Sequence, residues 1–220
     1  MEKTGKLIVI DGTDGSGKAT QTKLLVERLQ KDGQRVQTLS FPQYGQKSAA
    51  LVEEYLAGRY GSAEQVGPQA ASIFYAVDRF AARGQIKDWL NQGQWVVTDR
   101  FVSSNMGHQG GKIHDTEKRK EFFQWEDELE HGIFNLPRPD KIIFLHVAAA
   151  IGQQLTAQRD AIQDIHQQDL NHLKDAEAAY QQMAEILPNF ERIECVQDGN
   201  LLPIEQIHER VFALVKPLIT

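Results

Sequence analysis

Cysteine is nearly missing from this chain: Cys195 stands alone among 220 residues. A single thiol cannot close an internal disulfide, which agrees with a reducing compartment. Long apolar runs are missing too. No stretch approaches the length needed to cross a membrane, and no membrane association is expected. Met1-Glu2-Lys3-Thr4-Gly5 leads directly into a short apolar run without a leader-like segment or cleavage site, so a cytoplasmic location is expected. Positive charge is in deficit, with 24 Lys and Arg against 30 Asp and Glu and a net charge of −6. General nucleic-acid binding draws its affinity from clustered Lys and Arg, so no nucleic-acid partner is expected. Neither an internal repeat nor a low-complexity tract is present.

What remains is a chain with 41% hydrophobic residues and mixed charges, as expected of a soluble globular protein. Its length suits one domain over residues 1–220, with a mobile subregion. The continuous apolar run at 7–10 reads as a strand, and 36–41, 95–98, 142–147 and 192–196 are further strand candidates. Between them, residues 21–29, 49–56, 69–90, 117–129 and 170–186 carry apolar side chains at helical spacing. This alternation predicts an α/β fold: a doubly wound five-stranded parallel sheet flanked by helices. Residues 157–168 are polar, rich in Gln and Asp, and read either as a mobile flap or as an ordinary solvated helix end.

After the first apolar run comes Gly12-Thr13-Asp14-Gly15-Ser16-Gly17-Lys18, which fits the phosphate-loop pattern G-x-x-x-x-G-K between a strand and a helix. Glycines let backbone N–H groups converge on phosphate oxygens, the helix N-terminus favours negative charge, and Lys18 can reach the outer phosphates. One part is missing. Ala19 stands where a hydroxyl usually helps hold Mg²⁺, and Thr20 lies about 100° further around the helix. Metal ligation must then lean on carboxylates and water, with Asp14 and Asp99 as candidates. Asp99 ends an apolar strand, where open α/β sheets place ligand-contacting groups. Arg79 follows Asp78 in a helix and Arg100 follows Asp99, and an arginine fork suits a second phosphate.

Residues 11–21, together with Tyr75-Ala76-Val77-Asp78-Arg79 and Asp99-Arg100-Phe101-Val102-Ser103-Ser104-Asn105, resemble the thymidylate kinase family of P-loop nucleoside monophosphate kinases. Phe41-Pro42 and Pro137-Arg138-Pro139-Asp140 add to the likeness, which runs from about residue 7 to 147. The resemblance implies transfer of the γ-phosphate of ATP to dTMP, a step toward dTTP, with Mg²⁺ and a homodimer packed through helices. It implies that Gly12, Thr13, Asp14, Gly15, Ser16, Gly17, Lys18, Ala19 and Thr20 bind ATP. Phe41, Pro42, Ser104 and Gln109 join the dTMP site. Tyr75 would stack on thymine, Arg79 would contact base or phosphate, Arg100 would hold the acceptor phosphate, and Asn105 would face the base. Asp14 would lie near the deoxyribose hydroxyl and metal, and His108 takes a position that is often aromatic. Lys18, Asp14, Arg100 and Arg159 would be catalytic, Arg159 from a lid at about 155–169.

Departures from the pattern fall on named residues. Besides Ala19, Gln43-Tyr44-Gly45-Gln46-Lys47 lacks the arginine common there, leaving Lys47 as its substitute. The lid offers only Arg159, and His146 stands where an aspartate is common. His166, Asp169 and His172 read as a solvated helix face rather than a metal site, and Trp89, Trp95 and Trp125 as core or interface residues. The chemistry needs no general base, because a phosphomonoester with its second pKa near about 6 is already nucleophilic at neutral pH. The sequence has no Ser-His-Asp arrangement, no [NT]-K-x-D motif and no D-x-x-G outside the loop, which weighs against a GTPase switch. Kinases of other nucleotides or nucleosides, and a non-catalytic nucleotide-binding protein, remain the alternatives.

Overall fold

Four expected strands keep their places within a residue, the fifth moves from 192–196 to Phe190–Glu194 with Val196 going to a separate hairpin, and the five form one sheet in the computed structural model, which describes residues 5–157 and 170–219. The chain runs β1 (Leu7–Asp11), α1 (Lys18–Lys31), β2 (Val36–Ser40), α2 (Ala50–Leu56), α3 (Ala63–Val66) and the long α4 (Pro68–Asn91). It continues through β3 (Trp95–Asp99), α5 (Val102–Gly110) and α6 (Thr116–Asp127), whose winding widens over Glu128–Ile133 before β4 (Lys141–His146). There follow α7 (Ala149–Ala157), α8 (Leu170–Ile186), β5 (Phe190–Glu194), a small hairpin of β6 (Val196–Gln197) and β7 (Asn200–Leu201), and α9 (Ile204–Val215). Leu155–Ala157, expected to open the lid, instead end α7; the rest of the expected lid, with Arg159, His166 and Asp169, lies outside the described residues.

All pairings in the large sheet are parallel, in the order β2-β3-β1-β4-β5. Strands of such a sheet are covered on both faces, which is why β1 and β4 read as unbroken apolar runs rather than alternating ones. Alternate residues feed two cores. Leu7, Val9, Val96 and Phe144 pack with Ile86 of α4, Met106 of α5 and Met183 of α8. Ile8, Ile10, Val97 and Ile143 pack with Leu25 of α1 and Val211 of α9. Each such side chain, fully buried, contributes roughly 1.5–3 kcal/mol. Trp95 is buried and Trp89 and Trp125 pack against the core, as expected.

The helix α5 went unread because its nine residues, Val-Ser-Ser-Asn-Met-Gly-His-Gln-Gly, lack an apolar stripe. Nearly all of it is buried all the same. Gly107 makes this possible: a Cβ there would stand 2.4 Å from the Tyr180 ring, so α5 and α8 approach more closely than any other residue would allow. That approach brings the first turn of α8 beside the strand ends.

Candidate active site

The C-terminal ends of β1, β2 and β3 open onto a cavity of about 350 Å³, at the place where doubly wound sheets hold their ligands. The loop after β1 enters it first. Gly12 has φ 151°, and a Cβ on it would lie 2.7 Å from the Leu145 carbonyl, so the turn tolerates no side chain. Asp14, Gly15, Gly17, Lys18 and Ala19 line the cavity; Gly12, Thr13, Ser16 and Thr20 shape the loop behind it. Lys18 Nζ donates to the Thr13 carbonyl at 2.9 Å and stands 3.7 Å from Asp14. Burial and the Arg100 charge push its ammonium pKa down.

All ten expected acceptor-site residues meet here: Asp14, Phe41, Pro42, Tyr75, Arg79, Arg100, Ser104, Asn105, His108 and Gln109. They come from the phosphate loop, the β2 end, α4, the β3 end and α5, so only the fold joins them. Phe41-Pro42 is a cis peptide that turns the chain after β2 along the cavity wall. Arg100, with φ 66°, occupies the left-handed region, a costly conformation for a non-glycine residue, and its N–H donates to the Ile10 carbonyl at 3.0 Å. That backbone turn aims its guanidinium back at the loop. There it pairs with Asp14 and contacts His108 Nε2 at 2.8 Å.

Charge in the cavity is arranged around that pair. Burial alone would raise the Asp14 carboxyl, but Arg100 and Lys18 outweigh it and hold the group well below the usual carboxylate range. Burial raises Asp99, with Lys18 and Arg100 opposing. Burial, then Arg100 and His172, push His108 well below its ordinary value, so the imidazole is neutral near pH 7. Behind the wall, Asp11 accepts from Ser103, Ser104 and Tyr180, fixing the start of α5 and the middle of α8 to the end of β1.

Some assignments change. His172 does not lie on a solvated face: it lines the cavity and stacks on His108, with ring centroids 5.6 Å apart. Lys47 is exposed and lies outside the cavity lining; in its stretch, Gln43 and Ser48 instead bind Asp78 at 2.7 and 2.6 Å. Asp78 and Arg79 are both buried, and Arg79, though it lines the cavity, forks onto Glu130 through two bonds of 2.6 Å. His146 spans Glu194 and Glu177 at 2.6 and 2.7 Å, and Glu177 accepts the Ala149 N–H that begins α7. It is therefore a tie between β4, β5 and α8. Ser40, Tyr44, Leu56 and His172 also line the cavity without having been anticipated; Tyr44, in a turn-forming stretch after Pro42, was the one with a visible signal.

The donor set suits Mg²⁺. Among the described residues Asp99 Oδ1 is buried without a hydrogen-bond partner, and the residue lines the cavity, whereas Asp14 is already committed to Arg100 and Lys18. Ala19 brings no oxygen to the same wall. Mg²⁺ retains several waters and is commonly bound through one or two carboxylates plus substrate phosphates, which fits one free carboxylate beside a phosphate loop.

The sequence matches the family model for thymidylate kinase over residues 10–211. It is 32% identical over 184 residues to the thymidylate kinase of Mycobacterium tuberculosis, covering 81% of this chain and 85% of that one. To the human thymidylate kinase it is 30% identical over 148 residues, 67% of this chain and 64% of the relative. The fold is similar to that of a solved thymidylate kinase from Candida albicans, with a TM-score of 0.75 at 22% identity, covering 98% of this chain and 92% of that one. The family match spans nearly the whole chain, cavity residues included, and this protein belongs to the thymidylate kinase family, phosphotransferases of the nucleoside monophosphate kinase class.

Proposed function

We propose that the cavity transfers the γ-phosphate of ATP to dTMP, giving dTDP and ADP. The observation that carries this reading is the convergence of a phosphate loop and Arg100 on one cavity that also contains Tyr75, Asn105 and Arg79. The loop and Lys18 suit the donor phosphates, and Arg100 suits the acceptor phosphate. The aromatic and amide groups suit a pyrimidine base.

The reaction asks little of the protein beyond position and charge. The acceptor phosphate is its own nucleophile at neutral pH, so no side chain has to remove a proton. Catalysis is then chiefly a matter of aligning two polyanions and neutralising charge in the transition state, which cations set in advance do. Lys18 and Arg100 are such cations. Asp14 fixes the Arg100 fork before substrate arrives, and neutral His108 contacts the same guanidinium without adding like charge. Asp99 would hold Mg²⁺, with Asp14 nearby, and the ion would neutralise charge on the phosphates. From the resemblance, residues 158–169, following α7, would close over ATP and exclude water, bringing Arg159 to the transferring phosphate.

The protein acts in the cytoplasm as a homodimer in this proposal. An exposed apolar stripe on α4, formed by Ile73 and Phe80, with Leu51 and Ile133 also exposed, supports a subunit contact through helices. Purified protein supplied with Mg·ATP and dTMP should form dTDP and ADP in equal amounts. Failure to form dTDP would overturn the reading.

A further inference from the structure

Behind the acceptor wall lies a buried group that phosphate transfer does not use. Glu126, on α6, is fully buried, and among the described residues none completes a hydrogen bond to its Oε2. Its Oε1 accepts from Asn105 Nδ2 at 3.4 Å. The same nitrogen donates to the Ser72 backbone carbonyl at 3.0 Å. The Ser72 carbonyl can only accept, so the amide's NH₂ faces inward, where Glu126 Oε1 takes its second hydrogen, and its Oδ1 is the end left for the cavity. One turn along, Glu130 takes both bonds of the Arg79 fork. The guanidinium is thus matched by one carboxylate, and a second buried negative charge beside it would go uncompensated. Burial and then the Glu130 carboxylate push the Glu126 carboxyl up to about 8, against a lowering pull from Ser72 and Arg79. It stays neutral at pH 7.

We propose that Glu126 is a positioning residue for acceptor-base recognition, holding the Asn105 amide in one orientation beside a fixed Arg79. This rests on the reading of the cavity as a dTMP site. The result is an acceptor oxygen on Asn105 next to the remaining donors of Arg79, a pattern that complements the imide N–H and carbonyl of thymine or uracil. Cytosine offers a ring acceptor and an amino donor at that edge and is mismatched. A site built to pair with a polar edge rejects a mismatched one because its buried groups are left unpaired.

The test compares wild type, Glu126→Met and Glu126→Gln with dTMP and dCMP as acceptors. Methionine keeps the shape and removes the polar partner. For Glu126→Met, the KM for dTMP should rise about tenfold with kcat within about threefold, and the dTMP over dCMP preference should fall about tenfold. Glu126→Gln should stay within about twofold of wild type. Unchanged KM and preference in a folded Glu126→Met protein would overturn the inference while leaving the kinase reading intact. No wild-type turnover of any monophosphate would instead strike the kinase reading. A substrate-free measurement covers that case and any failure of Glu126→Met to fold: the Asn105 side-chain amide resonance, followed in ¹⁵N-labelled protein. It should titrate near about 8 in wild type and remain still in Glu126→Gln. An amide that neither titrates in wild type nor changes its shift in Glu126→Gln would also overturn the inference.

Discussion

The guanidinium of Arg100 pairs with the carboxylate of Asp14, joining the end of β3 to the phosphate loop across the cavity between them. This ion pair holds the arginine beside Lys18 without leaving two bare cations together. Replacing Arg100 with alanine should therefore lower kcat by on the order of 10³, as loss of a transition-state arginine does, while ATP affinity changes less than about threefold. Steady-state rates combined with ATP titration check this. An equal loss of ATP affinity would mean that Arg100 serves the donor instead.

Ala19 and Asp99 share one wall, and the first lacks what the second supplies. Restoring the hydroxyl with Ala19→Ser should tighten cation binding several-fold, whereas Asp99→Asn should weaken it by roughly tenfold or more. Mn²⁺ binding to the ADP complex, read by electron paramagnetic resonance, measures both. Similar affinities in all three proteins would remove Asp99 from the metal shell.

Two ion pairs on neighbouring elements should differ sharply in worth. Arg79–Glu130 is buried on both sides, whereas Arg138–Asp127 is largely exposed on the arginine side. Glu130→Ala leaves an uncompensated guanidinium in the interior and should cost roughly 3–5 kcal/mol. Breaking the Arg138 pair should cost less than about 1 kcal/mol. Urea denaturation of Glu130→Ala and Arg138→Ala tests the contrast.

The same buried carboxyls mark where sequence reading stops. Glu126 and Glu130 sit four apart in a polar stretch that looks like a solvated helix surface, and nothing local says that both turn inward. The widened winding at Glu128–Ile133 and the crossing of α4 put them there. His172 was likewise read as solvated, because its place over His108 depends on the close approach at Gly107. By contrast, the phosphate loop, the five strands and the Asp99-Arg100 strand end were legible. Each is specified by short-range pattern: an apolar run, glycines at fixed spacing, or a polar pair closing a buried strand. The hairpin β6–β7 and the tie made by His146 depend on partners far along the chain and were not.

Glu126 also predicts how stability depends on pH. Its carboxyl titrates near about 8 in the folded protein against an ordinary value of 4.5, so the folded state binds the extra proton between those limits. A raised carboxyl makes stability greatest below the lower value and erodes it as pH rises through the higher one. Glu126→Gln removes this loss. The stability of wild type relative to Glu126→Gln should decline from pH 4.5 to about pH 8 and level off above, measured by denaturant unfolding at several pH values. A constant difference would contradict the assignment.

The most direct test of the cavity's reading is ADP release from Mg·ATP with dTMP, dUMP, dCMP, dGMP, AMP or thymidine offered separately, beside a control without acceptor. Turnover should be strong with dTMP, weak with dCMP and the purine nucleotides, and almost absent without acceptor. Preference for a purine or cytidine nucleotide would contradict the roles given to Asn105 and Arg79, and ADP release that ignores the acceptor would contradict phosphate transfer itself.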